Sequence, residues 1–309
     1  MHKILITDDV SEVLIEGLIS RKYIVDYRPF INREEVIFII NEYEGLIVNS
    51  KIVCDASLLS FASNLRWIAR LGSGLEVIDA AFCKQKNILF FNSPEGNCRA
   101  VAEHALGMLL SLFRNIPKAA QEVRRMEWIR EENRGEELFG KTVAIIGYGH
   151  TGSAFASLLL GFGVKVLAYD KYKFEFTSDF VKEATLEQIY QEADVVSIHL
   201  PLTEETNHFA DSVFFEHFHK PIYLINTSRG KVLCTKSLIE ALDKKKVKGA
   251  VLDVLENEKI DKLDTSELNQ FQQLIAFNNV LITPHIAGWT HQSKIKIAEV
   301  VLRKIDEVN

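Results

Sequence analysis

The sequence predicts an α/β fold made of two parallel sheets, each wound on both faces by helices. Three observations lead there. Apolar, β-branched runs alternate with amphipathic helical stretches from one end of the chain to the other, which is the pattern of parallel sheets. One of these runs feeds straight into a glycine-rich turn. The 309 residues, 47% of them hydrophobic, are enough for two domains of ordinary size.

In order along the chain, strands are expected at residues 3–7, 23–27, 45–49, 67–69 and 88–91, with helices at 10–19, 34–40 and 79–86 between them. A long apolar helix follows at 99–114, then a charged stretch at 124–141. A second set of strands begins at Thr142 and continues at 164–169, 195–199, 222–226, 249–252 and 280–282; a charged loop at 256–267 is the most polar run. A final helix at 290–307 closes the chain. One complete sheet thus precedes the second, and the last helix is placed to return to it. The expected domains are 1–98 plus 287–309, and 99–286 inserted between them. Two crossings of one boundary suit an enzyme that closes on its substrate.

The inserted set opens with Thr142-Val143-Ala144-Ile145-Ile146-Gly147-Tyr148-Gly149-His150-Thr151-Gly152, a strand running into G-x-G-x-x-G and a small-residue helix at 153–161. Gly147 makes the tight turn, Gly149 lets the backbone approach a pyrophosphate, and Gly152 lets the helix lie close on the sheet. The helix start offers N–H groups and partial positive charge to phosphates, with His150 contributing through its backbone. The next strand ends at Asp170, about 18 positions after Gly152, the spacing at which an acidic residue reaches the ribose hydroxyls. This is a Rossmann domain for a dinucleotide. A carboxylate repels a 2′-phosphate, so NAD is the expected cofactor, with Lys171 and Lys173 softening the repulsion.

Net charge is −6 and the isoelectric point about 5.9, which argue against a nucleic-acid or membrane-surface partner. Cys54, Cys83, Cys98 and Cys234 are widely spaced, without a C-x-x-C pair or histidines at metal-ligand spacing. They read as reduced thiols of a cytoplasmic protein with no metal site. No signal-peptide pattern opens the chain, and no run of about eighteen apolar residues marks a membrane span.

Three further segments end strands where ligands bind in such sheets: Asn226-Thr227-Ser228-Arg229-Gly230, Asp253 to Glu258, and Thr283-Pro284-His285-Ile286-Ala287-Gly288. They supply an arginine, carboxylates and a histidine. Reduction of a 2-keto acid needs a proton donor on the carbonyl oxygen, and a histidine, with its ordinary pKa of about 6.5, suits that task. Glu258 would hold the imidazolium, and Arg229 would grip a carboxylate and polarise the carbonyl.

With these segments, the glycine turn and Asn97-Cys98-Arg99-Ala100-Val101-Ala102-Glu103, the chain resembles the D-2-hydroxyacid dehydrogenase family nearly throughout. The resemblance implies a Rossmann NAD-binding domain inserted into a flavodoxin-like substrate domain. It implies Arg229 as the substrate arginine, Glu258 as the catalytic acid and His285 as the proton donor. It adds His199, Pro201 and Thr206 at the adenosine end of NAD. Thr227, Ser228, Arg229, Asp253, His285 and Gly288 join Gly147, Gly149, His150, Thr151, Gly152 and Asp170 in the cofactor set, Asp253 at the nicotinamide end. Ser73 and Gly74, in the loop Leu71-Gly72-Ser73-Gly74, together with Asn97, Arg229 and His285, would hold the acid. The helix around 101–110 packs across a subunit interface in the family, so a homodimer is expected. The other histidines, His104 among them, are read as structural or exposed.

Arg70, just before the loop, resembles the arginine that neutralises phosphate in the phosphoglycerate dehydrogenases of that family, and points to 3-phospho-D-glycerate. Some relatives carry a second arginine where Asn49 stands, and Lys51 is the expected substitute. Glu95 places a negative charge by the anion site, and Trp289 narrows the pocket. Regulation through an appended C-terminal domain is not expected. The alternatives are a reductase of glyoxylate, hydroxypyruvate or another small 2-keto acid, and an NAD-sensing co-repressor. Formate dehydrogenases pair the histidine with a glutamine, and Glu258 speaks against that.

Overall fold

The computed structural model describes residues 2–308 and contains two compact units, Met1–Cys98 with Trp289–Asn309, and Arg99–Gly288. The second boundary lies two residues beyond the expected 286/287. The first unit holds strands β1 (Lys3–Ile6), β2 (Ile24–Tyr27), β3 (Gly45–Val48), β4 (Trp67–Arg70) and β5 (Leu89–Phe91), all parallel, in the order β2-β1-β3-β4-β5. That is the flavodoxin-like order. Both faces of the sheet are covered, so Ile4, Leu5 and Ile6 are all buried instead of alternating. Val36, Ile40, Leu58 and Ile68 lie in the core on one face. On the other, Leu14 and Leu18 of the helix Glu12–Ser20 pack with Ala298, Val301 and Ile305 of the helix His291–Val308. The final helix therefore completes the first core.

The second unit holds β6 (Thr142–Ile146), β7 (Lys165–Tyr169), β8 (Val181–Glu183), β9 (Val195–Ile198), β10 (Ile222–Asn226), β11 (Val247–Leu252) and β12 (Val280–Ile282). They form one parallel sheet in the order β12-β11-β10-β9-β6-β7-β8. The chain leaves β6 in one direction and returns to β9 on its other side. The carboxyl ends of β6 and β9 therefore make the topological switch point where doubly wound sheets bind ligands.

Several expected boundaries move, each for a local reason. The helix expected from residue 99 starts at Pro94, since proline is preset for a first helical turn. The helix after the glycine turn starts at His150, with Gly149 as its N-cap. The polar run 256–267 is not all loop: a capping box of Asp264 and Glu267 starts the helix Thr265–Ala276 within it. Strand β8 and the helix Ile116–Arg124 were not anticipated, the first because three residues carry little periodicity.

Candidate functional site

At the end of β6 the turn takes its shape from backbone crowding. Gly147 has φ +94°, and a Cβ there would lie 2.5 Å from the His199 carbonyl oxygen at the end of β9. A Cβ on Gly152 would lie 2.0 Å from the Gly147 carbonyl oxygen, so the helix His150–Leu158 rests directly on the turn. A Cβ on Gly149 would meet nothing within 4 Å, which leaves open space over the backbone that leads to His150 and Thr151. The first-turn N–H groups of that helix point into this space.

Asp170 braces the same turn. Its Oδ2 accepts the Tyr148 N–H at 2.8 Å, and its Oδ1 accepts those of Tyr172 (2.9 Å) and Lys173 (3.1 Å). A carboxylate has about four acceptor sites, so capacity for a ribose hydroxyl remains. The neighbouring lysines are engaged elsewhere. Lys171 pairs with Glu205, and Lys173 lies over the Tyr148 ring with its Nζ donating to the Tyr148 carbonyl at 3.3 Å.

The segment after β9 behaves differently from expectation. The His199 ring turns inward, with Nε2 on Ser197 Oγ at 2.8 Å and the ring against Phe155, while Nδ1 is buried without a hydrogen bond. Burial pushes its pKa down to about 4, so the imidazole is neutral and only the His199 backbone faces the turn. The Thr206 hydroxyl folds the loop on itself by donating to the Pro201 carbonyl at 2.6 Å. Across the switch point, buried Thr227 carries a hydroxyl without a hydrogen-bond partner. An orphaned hydroxyl, an open glycine backbone and a carboxylate with spare acceptor capacity fit a dinucleotide.

The three strand ends expected to carry the chemistry are tied to one another. Asn226, fully buried, accepts from the Ser228 N–H (3.1 Å) and hydroxyl (2.8 Å) and donates to the Arg229 carbonyl at 3.0 Å, so it fixes the turn on which Arg229 sits. Gly230 then packs onto the loop after β11: a Cβ there would lie 1.8 Å from the Leu255 carbonyl oxygen. That loop carries Glu258, whose Oε2 lies 2.8 Å from His285 Nδ1. Both side chains are about half exposed. With Nδ1 on the carboxylate, Nε2 is the ring nitrogen left to exchange a proton with a ligand. His285 has φ +55°, a backbone conformation that costs a non-glycine residue roughly 1–2 kcal/mol. Asp253, 1% exposed, holds it there. Its carbonyl accepts the His285 N–H at 2.8 Å, and its carboxylate accepts the N–H groups of Ile286 (2.9 Å) and Ala287 (2.7 Å) and the Thr283 hydroxyl (2.6 Å). Gly288 ends this segment and the unit.

In the first unit, the loop after β4 is laced to the start of the helix Pro94–Phe113. The Ser93 hydroxyl accepts the Gly72 N–H at 2.8 Å, Asn92 donates to the Ser73 carbonyl at 2.5 Å, and the Ser73 hydroxyl donates to Asn97 Oδ1 at 3.0 Å. The Arg70 guanidinium lies against Gly72, where a Cβ would be 2.1 Å from its Nη1. Gly74 follows in the same loop. Two expectations need correction. Lys51 does not stand in for an anion-binding arginine: its ammonium is spent on the carbonyls of Thr7 (2.5 Å) and Pro29 (2.7 Å). Nor is the Glu95 charge unopposed, since Lys304 lies at 3.0 Å and Arg303 at 3.5 Å. The Trp289 indole is largely exposed.

Asn226 and His104 were the residues that sequence reasoning passed over. Asn226 was legible only as part of a motif, and the surroundings of His104 are made by residues distant in the chain. Among the described residues, no cluster of His, Cys, Asp or Glu is placed to hold a metal ion, and no helix is long and apolar enough to cross a membrane.

Comparison with known proteins gives this arrangement a context. Residues 106–287 match the family model described as D-isomer specific 2-hydroxyacid dehydrogenase, NAD binding domain. The chain is 31% identical to the hydroxypyruvate reductase of Thermotoga maritima, over 98% of this chain and 97% of that protein. It is 30% identical to the D-3-phosphoglycerate dehydrogenase of Synechocystis sp., over 100% of this chain and 54% of that protein, so it spans about half the length of that relative. Among solved structures, the D-lactate dehydrogenase of Aquifex aeolicus complexed with NAD and lactic acid aligns with a TM-score of 0.85 at 29% identity, covering 99% of this chain and 94% of that one.

Proposed function

The chain belongs to the D-isomer specific 2-hydroxyacid dehydrogenase family, and on that premise we propose that it interconverts a small anionic 2-hydroxy acid and its 2-keto acid with NAD. The observation that carries this reading is the contact between His285 Nδ1 and Glu258 Oε2 at 2.8 Å, on a loop that packs against the Arg229 turn. Bound at the Gly147–Gly152 turn, NAD supplies the acceptor or donor of a hydride. The chain supplies everything else. Arg229 holds the substrate carboxylate in a charge-assisted grip and draws electron density from the carbonyl. In reduction His285 gives a proton from Nε2 to the carbonyl oxygen while Glu258 holds Nδ1; in oxidation the same nitrogen receives the hydroxyl proton. Ser73, Gly74 and Asn97 of the first unit are further candidates for binding the acid.

The substrate pair we assign is 3-phospho-D-glycerate and 3-phosphohydroxypyruvate, the oxidation that leads into serine biosynthesis. Arg70 supports it, and so does the neutralisation of Glu95 by Lys304, which removes a repulsive charge from the neighbourhood of a phosphate. A second reading is reduction of hydroxypyruvate or glyoxylate, supported by the 31% identity to a hydroxypyruvate reductase. We assign a homodimer, supported by exposed Ile116, Val123, Met126, Trp128 and Ile129 on and just after the helix Ile116–Arg124. Four free cysteines suit a reducing cytoplasm.

The test is turnover of purified protein with NAD and D-3-phosphoglycerate, and with NADH and hydroxypyruvate, glyoxylate or pyruvate. Oxidation of phosphoglycerate is expected. Activity only on unphosphorylated acids would replace the substrate, and no turnover of any 2-hydroxy or 2-keto acid would leave the co-repressor reading.

A further inference from the structure

We infer that His104 is a positioning residue for the proton donor, acting through Thr283 and the buried carboxylate of Asp253. His104 sits in the helix Pro94–Phe113, and its Nε2 lies 2.9 Å from Thr283 Oγ1 and 3.5 Å from Asp253 Oδ1. The direction of the chain follows from counting protons. A threonine hydroxyl has one hydrogen to donate, and the 2.6 Å contact with Asp253 Oδ1 claims it, since a carboxylate in contact with two backbone N–H groups acts as an acceptor. Oγ1 must then accept from His104, so the imidazole carries its proton on Nε2. The network reads His104 Nε2–H to Thr283 Oγ1–H to Asp253 Oδ1.

This chain matters because of what Asp253 holds. Its carboxylate fixes the N–H groups of Ile286 and Ala287, and its carbonyl fixes that of His285, so both sides of a residue at φ +55° are clamped by one side chain and its own backbone. With the carboxylate 1% exposed, its orientation is set by its protein partners and not by water. Thr283 is one of those partners, and His104 fixes the Thr283 rotamer in turn. Removing the His104 donor releases the hydroxyl, which is then free to turn towards Met108 Sδ at 3.4 Å. The clamp on the His285 backbone loosens as a result. The polar partners of His104 are Thr283 and Asp253, not the His285 imidazole or the Gly147–Gly152 turn, so its effect belongs in the rate of the proton step and not in dinucleotide binding.

The inference rests on the assignment of His285 as proton donor, and its test separates the two. His104→Phe keeps a ring of similar size without the donor; His104→Gln presents an amide N–H at the reach of Nε2. We expect kcat of His104→Phe to fall about 10- to 100-fold, the effect of a sub-ångström to 1 Å misplacement of a reacting group. The NADH dissociation constant should stay within about twofold, and His104→Gln should recover most of the rate. Exchange of the amide hydrogens of His285, Ile286 and Ala287 should quicken in His104→Phe and not in His104→Gln. Should the phenylalanine variant not fold, Thr283→Val against Thr283→Ser poses the same question. Unchanged kcat and exchange in His104→Phe, or equal losses in both His104 variants, would overturn the inference. Inactivity of the wild type on every 2-keto acid would instead sink the functional reading, and the exchange comparison would still decide whether His104 orders the loop.

Discussion

Two glycines of one turn, Gly152 crowded and Gly149 open, make the sharpest test of where the dinucleotide lies. In Gly152→Ala the new Cβ would sit 2.0 Å from the Gly147 carbonyl oxygen and 3.1 Å from Ile145 Cγ2. Ordinary carbon–oxygen contact is above 3 Å, so the helix His150–Leu158 must lift from the turn by about 1 Å or the turn must open. Overpacking of this kind costs about 1–3 kcal/mol. At 2–4 °C per kcal/mol for a domain of this size, that lowers the melting temperature by roughly 2–12 °C. Gly149→Ala meets nothing within 4 Å, and its φ of −84° and ψ of −155° suit alanine. Its folding is expected to be unchanged or slightly improved. The methyl group, however, stands in the open space that a pyrophosphate would enter. Its NADH dissociation constant should rise about 10- to 100-fold, equivalent to about 1.4–2.7 kcal/mol. Thermal unfolding with and without NADH, and NADH titration by fluorescence, read both quantities. Wild-type affinity in Gly149→Ala would refute the placement of the dinucleotide on this turn, whatever Gly152→Ala does.

Three other expectations concern Asp170, Arg70 and Asp194. Asp170→Ser removes the acceptor of the Tyr148 N–H and the charge facing a ribose; it should weaken NADH about tenfold and narrow the preference over NADPH, and an unchanged preference would show that other groups choose the cofactor. Arg70→Ala should cost about 2–4 kcal/mol, or about 30- to 1000-fold in kcat/KM, on phosphoglycerate and far less on glyoxylate; an equal loss on both would mean that Arg70 only shapes its loop. Burial opposes ionisation of Asp194, but Lys220 at 2.6 Å and the Thr142 N–H at 2.8 Å outweigh it and hold its carboxyl below the usual carboxylate range. The folded value lies below the unfolded one, so this stabilisation is complete above about pH 4 and lost as pH falls through the folded value. Asp194→Asn should therefore cost about 1–2 kcal/mol at neutral pH and flatten the acid limb of the stability curve, whereas an unaltered limb would remove Asp194 from it.

What the sequence made legible is what short stretches of chain determine. The strand–turn–helix at Thr142 to Gly152 carries its own backbone logic, and the runs after β10, β11 and β12 are recognisable as strand ends. Even there the sequence placed residues at strand ends without showing what their side chains touch. His199 stands at a strand end, but its ring is buried and neutral. Asp253, read as a contact of the nicotinamide end, uses its carboxylate to clamp the backbone around His285. The rest depended on contacts between residues far apart in the chain. His104 meets Thr283 at a separation of 179 positions, and Glu95 is neutralised by Lys304 at a separation of 209. No local pattern announces either pair. Lys51 was misread for the same reason, since its two carbonyl partners lie 44 and 22 positions away.

The proposed function assigns the proton to His285, held by Glu258, with the dinucleotide bound elsewhere in the same unit. Single-turnover reduction of hydroxypyruvate or 3-phosphohydroxypyruvate by NADH-saturated wild type and His285→Ala, followed by loss of NADH absorbance, tests it most directly. The rate should fall about 10²- to 10⁴-fold in His285→Ala, the usual worth of a positioned acid, with the NADH dissociation constant unchanged. A His285→Ala protein that turns over at the wild-type rate, or one that loses NADH binding in step with its activity, would contradict it.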